Sequence, residues 1–298
     1  VIYGSKHGDS EGVPRPPVHA IPGYALQEQL GVGAMGVVYR ATHTSSGRQV
    51  AIKLIAQRLT SSERAIQLFI REANLMGRLT HPNIVSCLDF GYTGGQLYLV
   101  MECVPTISLQ DVLARESSSA CIRIPCGIIR QVLKGLEHAH RMSIVHRDIK
   151  PENVLLFRSE HKLTAKLADF GLAKNYALAG LSEISHEGDL RGTLAYMPPE
   201  LVVDCRNAGP AGDIYSVGAT LYYYLSRHLP FDFSKRNKLA VVLEDDPIPI
   251  EQRVPEIPSK LAKVVHRALA KEMRDRFASA AEMGEALAPF ATRRHKRH

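Results

Sequence analysis

Two short runs carry most of the chemistry this sequence can do: His146-Arg147-Asp148-Ile149-Lys150-Pro151-Glu152-Asn153, and Leu167-Ala168-Asp169-Phe170-Gly171. Asp148, Asp169 and the amide oxygen of Asn153 are hard oxygen donors, suited to holding Mg²⁺ on a polyphosphate, and a carboxylate among them can receive a hydroxyl proton. Upstream lies Gly31-Val32-Gly33-Ala34-Met35-Gly36. Glycines at this spacing let a backbone turn approach phosphate oxygens with its N–H groups exposed. The same spacing could open a helix in a dinucleotide-binding unit. Here it runs into the strand-like VVYRAT, and Lys53 occupies the place where that fold needs an acid. Lys53 itself ends the apolar run Val50-Ala51-Ile52 and so needs a buried anionic partner, either a phosphate or a carboxylate. Glu63 and Glu72 both compete as that carboxylate, and Glu72 is favoured because it borders an apolar stripe.

These residues must be positioned by two different kinds of element. From Tyr24 to Cys103 the segments YALQEQLG, VVYRATH, RQVAIKLI and QLYLVMEC alternate as strands do. Between them, SSERAIQLFIREANLMGRL places Ile66, Phe69, Ile70, Ala73 and Met76 at helical spacing, with Ser61 or Ser62 as its start. Beyond Pro105 the helical period dominates, in ISLQDVLARE, PCGIIRQVLKGLEHAHRM, AGDIYSVGATLYYYLSRH and PSKLAKVVHRALAKEM. A boundary near Val104 and Pro105 therefore separates a small β-rich unit from a larger helical one, with a cleft between them that suits a small ligand. The chain's 298 residues agree with two such units, at roughly 150 residues each.

Composition narrows the classes further. Hydrophobic residues make up 45% and charged ones 22%, an ordinary globular balance. The net charge of +7 includes Arg293, Arg294, Lys296 and Arg297 at the extreme C-terminus, so no specific nucleic-acid binding is expected of the folded part. Cys87, Cys103, Cys121, Cys126 and Cys205 form no CxxC pair, which argues against a zinc site or disulfide framework and suits a reducing compartment. No stretch approaches the about 18 consecutive apolar residues of a membrane span. Residues 1–23, rich in Gly, Pro and Ser and containing PRPP, are expected to be a flexible leader or linker.

Taken in order and spacing, the Gly-rich run, the strand lysine, the HRD run and the DFG run resemble the protein-kinase family. GAMGVVYRA, HRDIKPEN, GTLAYMPPE, GDIYSVGATLYYYL and ALAKEMRDRF are most similar to bacterial Hanks-type (eukaryotic-like) serine/threonine kinases, over Tyr24 to Phe290. The resemblance implies an α+β, bilobal fold, with an N-lobe at 24–103, a C-lobe at 104–290 and a basic tail at 291–298. It implies ATP and Mg²⁺ as cofactors and serine or threonine hydroxyls of proteins as substrates. Gly31, Val32, Gly33 and Gly36 would then cover the phosphates, and Val38 and Ala51 would pack on adenine. Met101 would be the gatekeeper, with Glu102, Cys103 and Val104 as the hinge. Lys53 would meet phosphates and pair with Glu72. Asp148 would be the base, Lys150 would hold the γ-phosphate, and Asn153 and Asp169 would bind the metal. Thr193 matches the residue that contacts the base and helps select the hydroxyl.

The same resemblance assigns packing roles to Glu200 paired with Arg276, to Asp213 anchoring the HRD backbone, and to His146 and Phe170 in the core. Arg147 beside Asp148 implies a switch in which a phosphate on Ser182 or Ser185 orders the segment between Asp169 and Glu200; the alternative is that both serines are only polar loop residues. Self-association for trans-autophosphorylation follows from that switch. MPPE in place of APE, Tyr215 where tryptophan is common, and KEMRDRF before the last helix depart from the family at packing positions, not catalytic ones. An ATP-binding pseudokinase scaffold is the alternative function, and a dinucleotide oxidoreductase a distant third. The expected location is cytoplasmic, free or as the cytoplasmic part of a longer membrane-anchored protein.

Overall fold

The computed structural model describes residues 20–33, 35–57, 62–116, 120–159, 162–170, 194–204, 209–234 and 236–292. In the N-lobe, β1 (Tyr24–Gly33), β2 (Gly36–His43), β3 (Gln49–Ile55), β4 (Cys87–Thr93) and β5 (Gln96–Glu102) form an antiparallel sheet in the order β1-β2-β3-β5-β4. The β4–β5 connection is the two-residue turn Gly94-Gly95, both at positive φ, the geometry that matches strand twist in a tight hairpin.

Register sorts the sheet's side chains into two faces. Val38 lies opposite Lys53, Lys53 opposite Leu99, and Ala51 opposite Met101, so these five share one face. Tyr39, Ile52 and Val100 take the other face with Tyr98, and Ile21 is buried against them. The leader expected at 1–23 therefore stops short of Ile21, whose side chain covers the outer face of the sheet while its carbonyl accepts from Tyr24 N at 3.0 Å. Against the inner face packs α1 (Glu63–Gly77). Ser62 caps it by accepting from Ala65 N, and Ala65, Phe69, Ala73 and Met76 form its buried stripe, as the spacing predicts.

The C-lobe is built on α2 (Leu109–Leu113), α3 (Ala120–Arg141), the hairpin of β6 (Val154–Ser159) and β7 (Lys162–Leu167), α4 (Pro199–Val203), α5 (Pro210–Ser226), α6 (Lys238–Glu244), α7 (Ser259–Ala268) and α8 (Ala280–Ala291). Helix α5 is apolar nearly all round and is buried nearly all round, which makes it the axis of the lobe. Gly218 lets α7 press against it, since a Cβ there would sit 2.7 Å from that of Ala268. The N-terminus of α8 is capped twice, by Ser279 and by the carboxylate of Glu137 on α3, which accepts from Ala281 N at 3.1 Å.

The two lobes are stitched together at 83–85. Leu167 N donates to Asn83 O and Val85 N to Leu167 O, each at 2.9 Å, forming a parallel bridge between this N-lobe segment and β7. The Asn83 amide adds a bond to Ala165 O at 2.8 Å, and Gly135 admits the segment against α3, because a Cβ there would meet Asn83 O at 2.9 Å. The sheet ends at Glu102, near the boundary expected from sequence, yet this earlier segment belongs to the C-lobe by its hydrogen bonds.

Glu200 and Arg276 form the expected pair, with two parallel bonds of 2.7 and 2.8 Å. Arg276 is 2% exposed and also donates to the carbonyls of Ala270, Ala211 and Lys271, so it ties α4, α5 and the turn after α7 together. Replacing Glu200 with alanine strands a buried guanidinium, and we expect a loss of about 3–5 kcal/mol in urea denaturation. A change below 1 kcal/mol would mean that the carbonyls alone satisfy Arg276.

Candidate active site

Asp213, near the start of α5, is 1% exposed and accepts three bonds. They come from Arg147 N at 2.7 Å, His146 N at 2.8 Å and His140 Nε2 at 2.8 Å. The carboxylate thus fixes the backbone just ahead of Asp148 and holds Arg147 in the left-handed region, at φ 67°. This is the anchoring role expected of Asp213; His140 was not anticipated, because a histidine late in a helix carries no signal that it turns toward a carboxylate on another helix.

His146 is fully buried, and its two ring nitrogens have different jobs. Nε2 lies 2.9 Å from Ala168 O, which can only accept, and Nδ1 lies 3.2 Å from the Asp148 N–H, which can only donate. The ring is therefore neutral with its proton on Nε2. Burial holds its pKa below the ordinary histidine value, outweighing the nearby carboxylates of Asp213, Asp148 and Asp169. Phe170 packs on the ring at 4.5 Å, so the two residues expected in the core do meet there.

Just after Asp148 the chain folds into a single turn, Pro151–Asn153, started by a proline whose missing N–H costs nothing at that position. The turn brings Asn153 Nδ2 within 2.7 Å of Asp148 O and 3.1 Å of Asp148 Oδ2. Lys150 Nζ lies 3.1 Å from the same carboxylate oxygen. Burial disfavours the Lys150 ammonium, but Asp148 beside it prevails and the pKa lies above the ordinary lysine value. Asn153 O accepts from Ala168 N at 2.8 Å, which sets Asp169 next to Asn153.

Lys53 reaches this cluster from β3. Its side chain is 4% exposed, and its ammonium lies 2.9 Å from Asp169 Oδ1. Burial would raise the Asp169 pKa, but the Lys53 charge overrides it and holds the carboxyl below the ordinary carboxylate value. The expected pairing of Lys53 with Glu72 is not made: among the described residues Glu72 has no ion pair, and it stays half-exposed at the edge of the α1 stripe. Asp169, at φ 57°, turns its carboxylate to the lysine instead.

The remaining predicted positions fall as follows. Gly36, at φ 141°, allows β2 to cross β3 closely; a Cβ would lie 1.8 Å from Leu54 O. Gly31 and Gly33 lie at the end of β1, where Val32 is 62% exposed. Val38, Ala51 and Met101 are buried on the Lys53 face. At the hinge, Cys103 is half-buried and Val104 buried. Glu102 does more than its backbone role suggests: its N–H bonds Ser86 O at 3.0 Å, and its carboxylate accepts from Ser86 N at 2.8 Å and from Lys166 Nζ at 2.5 Å. Nothing in the alternation of β7 singles out Lys166 for this clamp. Gly171, Ser182, Ser185 and Thr193 lie outside the described residues.

The donor set suits a hard cation and a polyphosphate. The amide nitrogen of Asn153 is spent on Asp148, so a cation held here would meet the Asn153 Oδ1 and the Asp169 carboxylate. Lys53 supplies a buried positive charge that is already partnered by an anion. Among the described residues no cluster of three or more His, Cys, Asp or Glu could hold a metal by itself, so a cation here would share its coordination with the polyphosphate and water.

Comparison with known proteins gives one consistent result. The family model described as protein kinase domain matches residues 24–287. The chain is 37% identical over 268 residues to Serine/threonine-protein kinase pkn2 of Myxococcus xanthus, covering 89% of this chain and 32% of that relative. It is 34% identical over 269 residues to Serine/threonine-protein kinase PknL of Mycobacterium tuberculosis, covering 90% of this chain and 65% of the relative. The chain thus spans from about a third to about two-thirds of the length of these relatives. Among solved structures, the Mycobacterium tuberculosis PknI kinase domain superposes with a TM-score of 0.68 at 26% identity, covering 92% of this chain and 98% of that one.

The state of His146 makes the site acid-sensitive. A buried histidine with a depressed pKa contributes stability that is complete above about pH 6.5 and is lost as the pH falls toward the folded pKa. Protonation at Nδ1 would also expel the Asp148 N–H. We expect the melting temperature to fall between pH 7.5 and pH 5.5, and His146→Phe, though less stable at both, to show a smaller fall. An equal fall in both proteins would remove His146 as a cause.

Proposed function

The chain belongs to the protein kinase domain family, and from that membership we propose that it transfers the γ-phosphoryl group of ATP to serine or threonine hydroxyls of proteins. The observation that carries this reading is the convergence of Asp148, Asn153, Asp169 and Lys53 through three distances near 3 Å or below: Asn153 to Asp148 at 2.7 Å, Asn153 O to Ala168 N at 2.8 Å, and Lys53 to Asp169 at 2.9 Å.

Phosphoryl transfer demands alignment and charge neutralisation more than covalent help, and ATP with Mg²⁺ supplies the transferable group and part of that neutralisation. The chain's own residues divide the rest. Asp148, its carboxylate oriented by Asn153 and Lys150, receives the proton of the attacking hydroxyl. Lys150, kept charged by Asp148, faces the charge that develops on the transferring group. Asn153 Oδ1 and Asp169 are the cation ligands, and Lys53 binds phosphate oxygens. The exposed Val32 and the glycines beside it close over the nucleotide, with Val38, Ala51 and Met101 as the apolar wall for its base and Glu102 and Cys103 at its edge. Release of Asp169 from Lys53 would free the lysine for Glu72, the carboxylate partner expected from sequence.

The serine/threonine class is supported by Lys150 two positions after Asp148 and by the names of the relatives. Thr193 as a base contact, autophosphorylation at Ser182 or Ser185 read by Arg147, self-association for that reaction and a cytoplasmic location belong to the same proposal. Among the described residues no helix is long and apolar enough to cross a membrane.

Incorporation of labelled γ-phosphate into the protein and into a generic basic substrate tests this reading. Asp148→Asn should lower turnover by about 10²-fold or more with an unchanged melting temperature. Asp169→Ala should abolish it, and Lys53→Met should leave a folded, inactive protein. A wild type that binds ATP yet transfers nothing, or near-wild-type activity in any of the three variants, overturns the assignment.

A further inference from the structure

A cavity of about 390 Å³ lies on the C-lobe, between the segment 246–251 that follows α6 and the end of α7. None of its lining residues belongs to the phosphoryl-transfer site. Pro247, Pro249 and Ala270 make its walls largely apolar, and its volume lies within the roughly 300–1,000 Å³ of small-molecule pockets. Two carboxylates, Asp246 and Glu251, and the amine of Lys271 also face it.

Lys271 is bonded unlike the other lysines that turn inward. Lys53, Lys150 and Lys166 each lie within 3.1 Å of a carboxylate. The Lys271 nitrogen instead donates to Val242 O at 2.5 Å and lies 4.5 Å from the centre of the Phe231 ring, with no ion pair among the described residues. Neither neighbour carries a full negative charge, so burial prevails and pushes the ammonium down to about 8, against the pull of Asp246 and Asp245. Around pH 8 about half of such amines carry a free lone pair, against roughly one in several hundred at the ordinary lysine value. The backbone beneath is fixed, because Lys271 O accepts from the buried Arg276 at 2.9 Å. A nucleophilic nitrogen is therefore held at a set place on the cavity wall.

The surroundings select the electrophile. Val242 O, the Phe231 ring and the neighbouring acids all favour a cationic nitrogen that keeps an N–H. Amide formation abolishes that charge, whereas a protonated imine preserves it. Asp246 and Glu251 oppose an anionic reagent, and the apolar walls favour an aliphatic one. His266, on the same wall, can carry a proton. Its Nε2 lies 3.3 Å from the Ile250 N–H, which can only donate, and 3.2 Å from a Glu251 carboxylate oxygen, so the ring satisfies one neighbour with Nε2 bare and the other with Nε2 protonated.

We propose that Lys271 is the nucleophile of a covalent site for small, uncharged aliphatic aldehydes. The neutral amine bonds to the carbonyl carbon, and the carbonyl oxygen gains a proton as the nitrogen loses one, giving a carbinolamine. A further proton, delivered from His266 or water, lets the C–O bond break. Water leaves, and the nitrogen lone pair becomes the second bond of a protonated imine. The reaction is reversible, consumes no oxidant or reductant, and does not depend on the phosphoryl-transfer assignment.

The whole chain would be incubated with hexanal at pH 7.5, the imine trapped with borohydride at timed intervals, and the adduct at each lysine quantified by peptide mass mapping. Lys271 should be labelled about tenfold faster or more than the exposed Lys260 and Lys263 of α7, as its larger neutral fraction requires. This preference should shrink between pH 8 and pH 10, as the exposed lysines lose their protons. Glyoxylate, an anionic aldehyde, and acetyl phosphate, an acyl donor, should show no preference for Lys271. Ala270→Leu fills the cavity and leaves the lysine in place, and it should bring hexanal labelling of Lys271 down to the rate of Lys263. Wild-type labelling of Lys271 no faster than of Lys260 and Lys263 overturns the proposal, whether or not the variant folds. So does a preference that persists with glyoxylate or in a folded Ala270→Leu protein, and a preference shown by acetyl phosphate alone gives the amine to acylation instead.

Discussion

The buried carboxylate of Asp213 is the constraint from which the geometry of the site descends. An ionised group removed from water must be repaid by hydrogen bonds, and Asp213 takes three, two of them from consecutive backbone N–H groups. Because those groups belong to His146 and Arg147, their position is set by α5, the most deeply buried helix of the C-lobe. Arg276 and Glu200 hold α4 and the turn after α7 to the same helix, so the catalytic loop rests on a framework fixed from two sides. Asp148, Lys150 and Asn153 then follow from the short turn that the loop makes.

A second chain of bonds runs through side chains. Ala168 O, the His146 ring and the Asp148 N–H form a continuous series that depends on one tautomer. Asn153 closes the loop by bonding Ala168 on one side and Asp148 on the other. Asp148 and the neighbour of Asp169 are thereby linked twice, once through an imidazole and once through an amide. Lys53 and Asp169 neutralise each other in the middle of this arrangement, which lets two charges remain buried before any nucleotide arrives.

Much of this was legible in the sequence because motif residues are close in the chain and their spacing encodes their geometry. The strands, the Ser62 cap, the Glu200–Arg276 pair and the anchoring of the HRD backbone by Asp213 could all be expected. What could not be read were choices between partners of equal chemistry. Glu72 and Asp169 are both carboxylates within the plausible reach of Lys53, and only the turn of the backbone at Asp169 decides between them. Ile21 looked like leader because one apolar residue among prolines and glycines has no period, although the outer face of the sheet gives it a place. Gln131 is equally silent in sequence, yet its amide bridges Asn83, Ala165 and Leu163, because a polar residue inside a helix does not announce which strand it will meet.

The parallel bridge between Ile84 and Leu167 changes what counts as a unit of folding. A cut at the hinge would not release two self-sufficient pieces: the N-terminal piece would carry 83–85 away with its hydrogen-bonding groups bare, and β7 would be left with an open edge. The lobes are therefore parts of one cooperative block, joined at residues 83–85 as well as at the hinge. Backbone amides at Val85 and Leu167 thus belong with the slowest-exchanging core, although they sit where the two lobes meet.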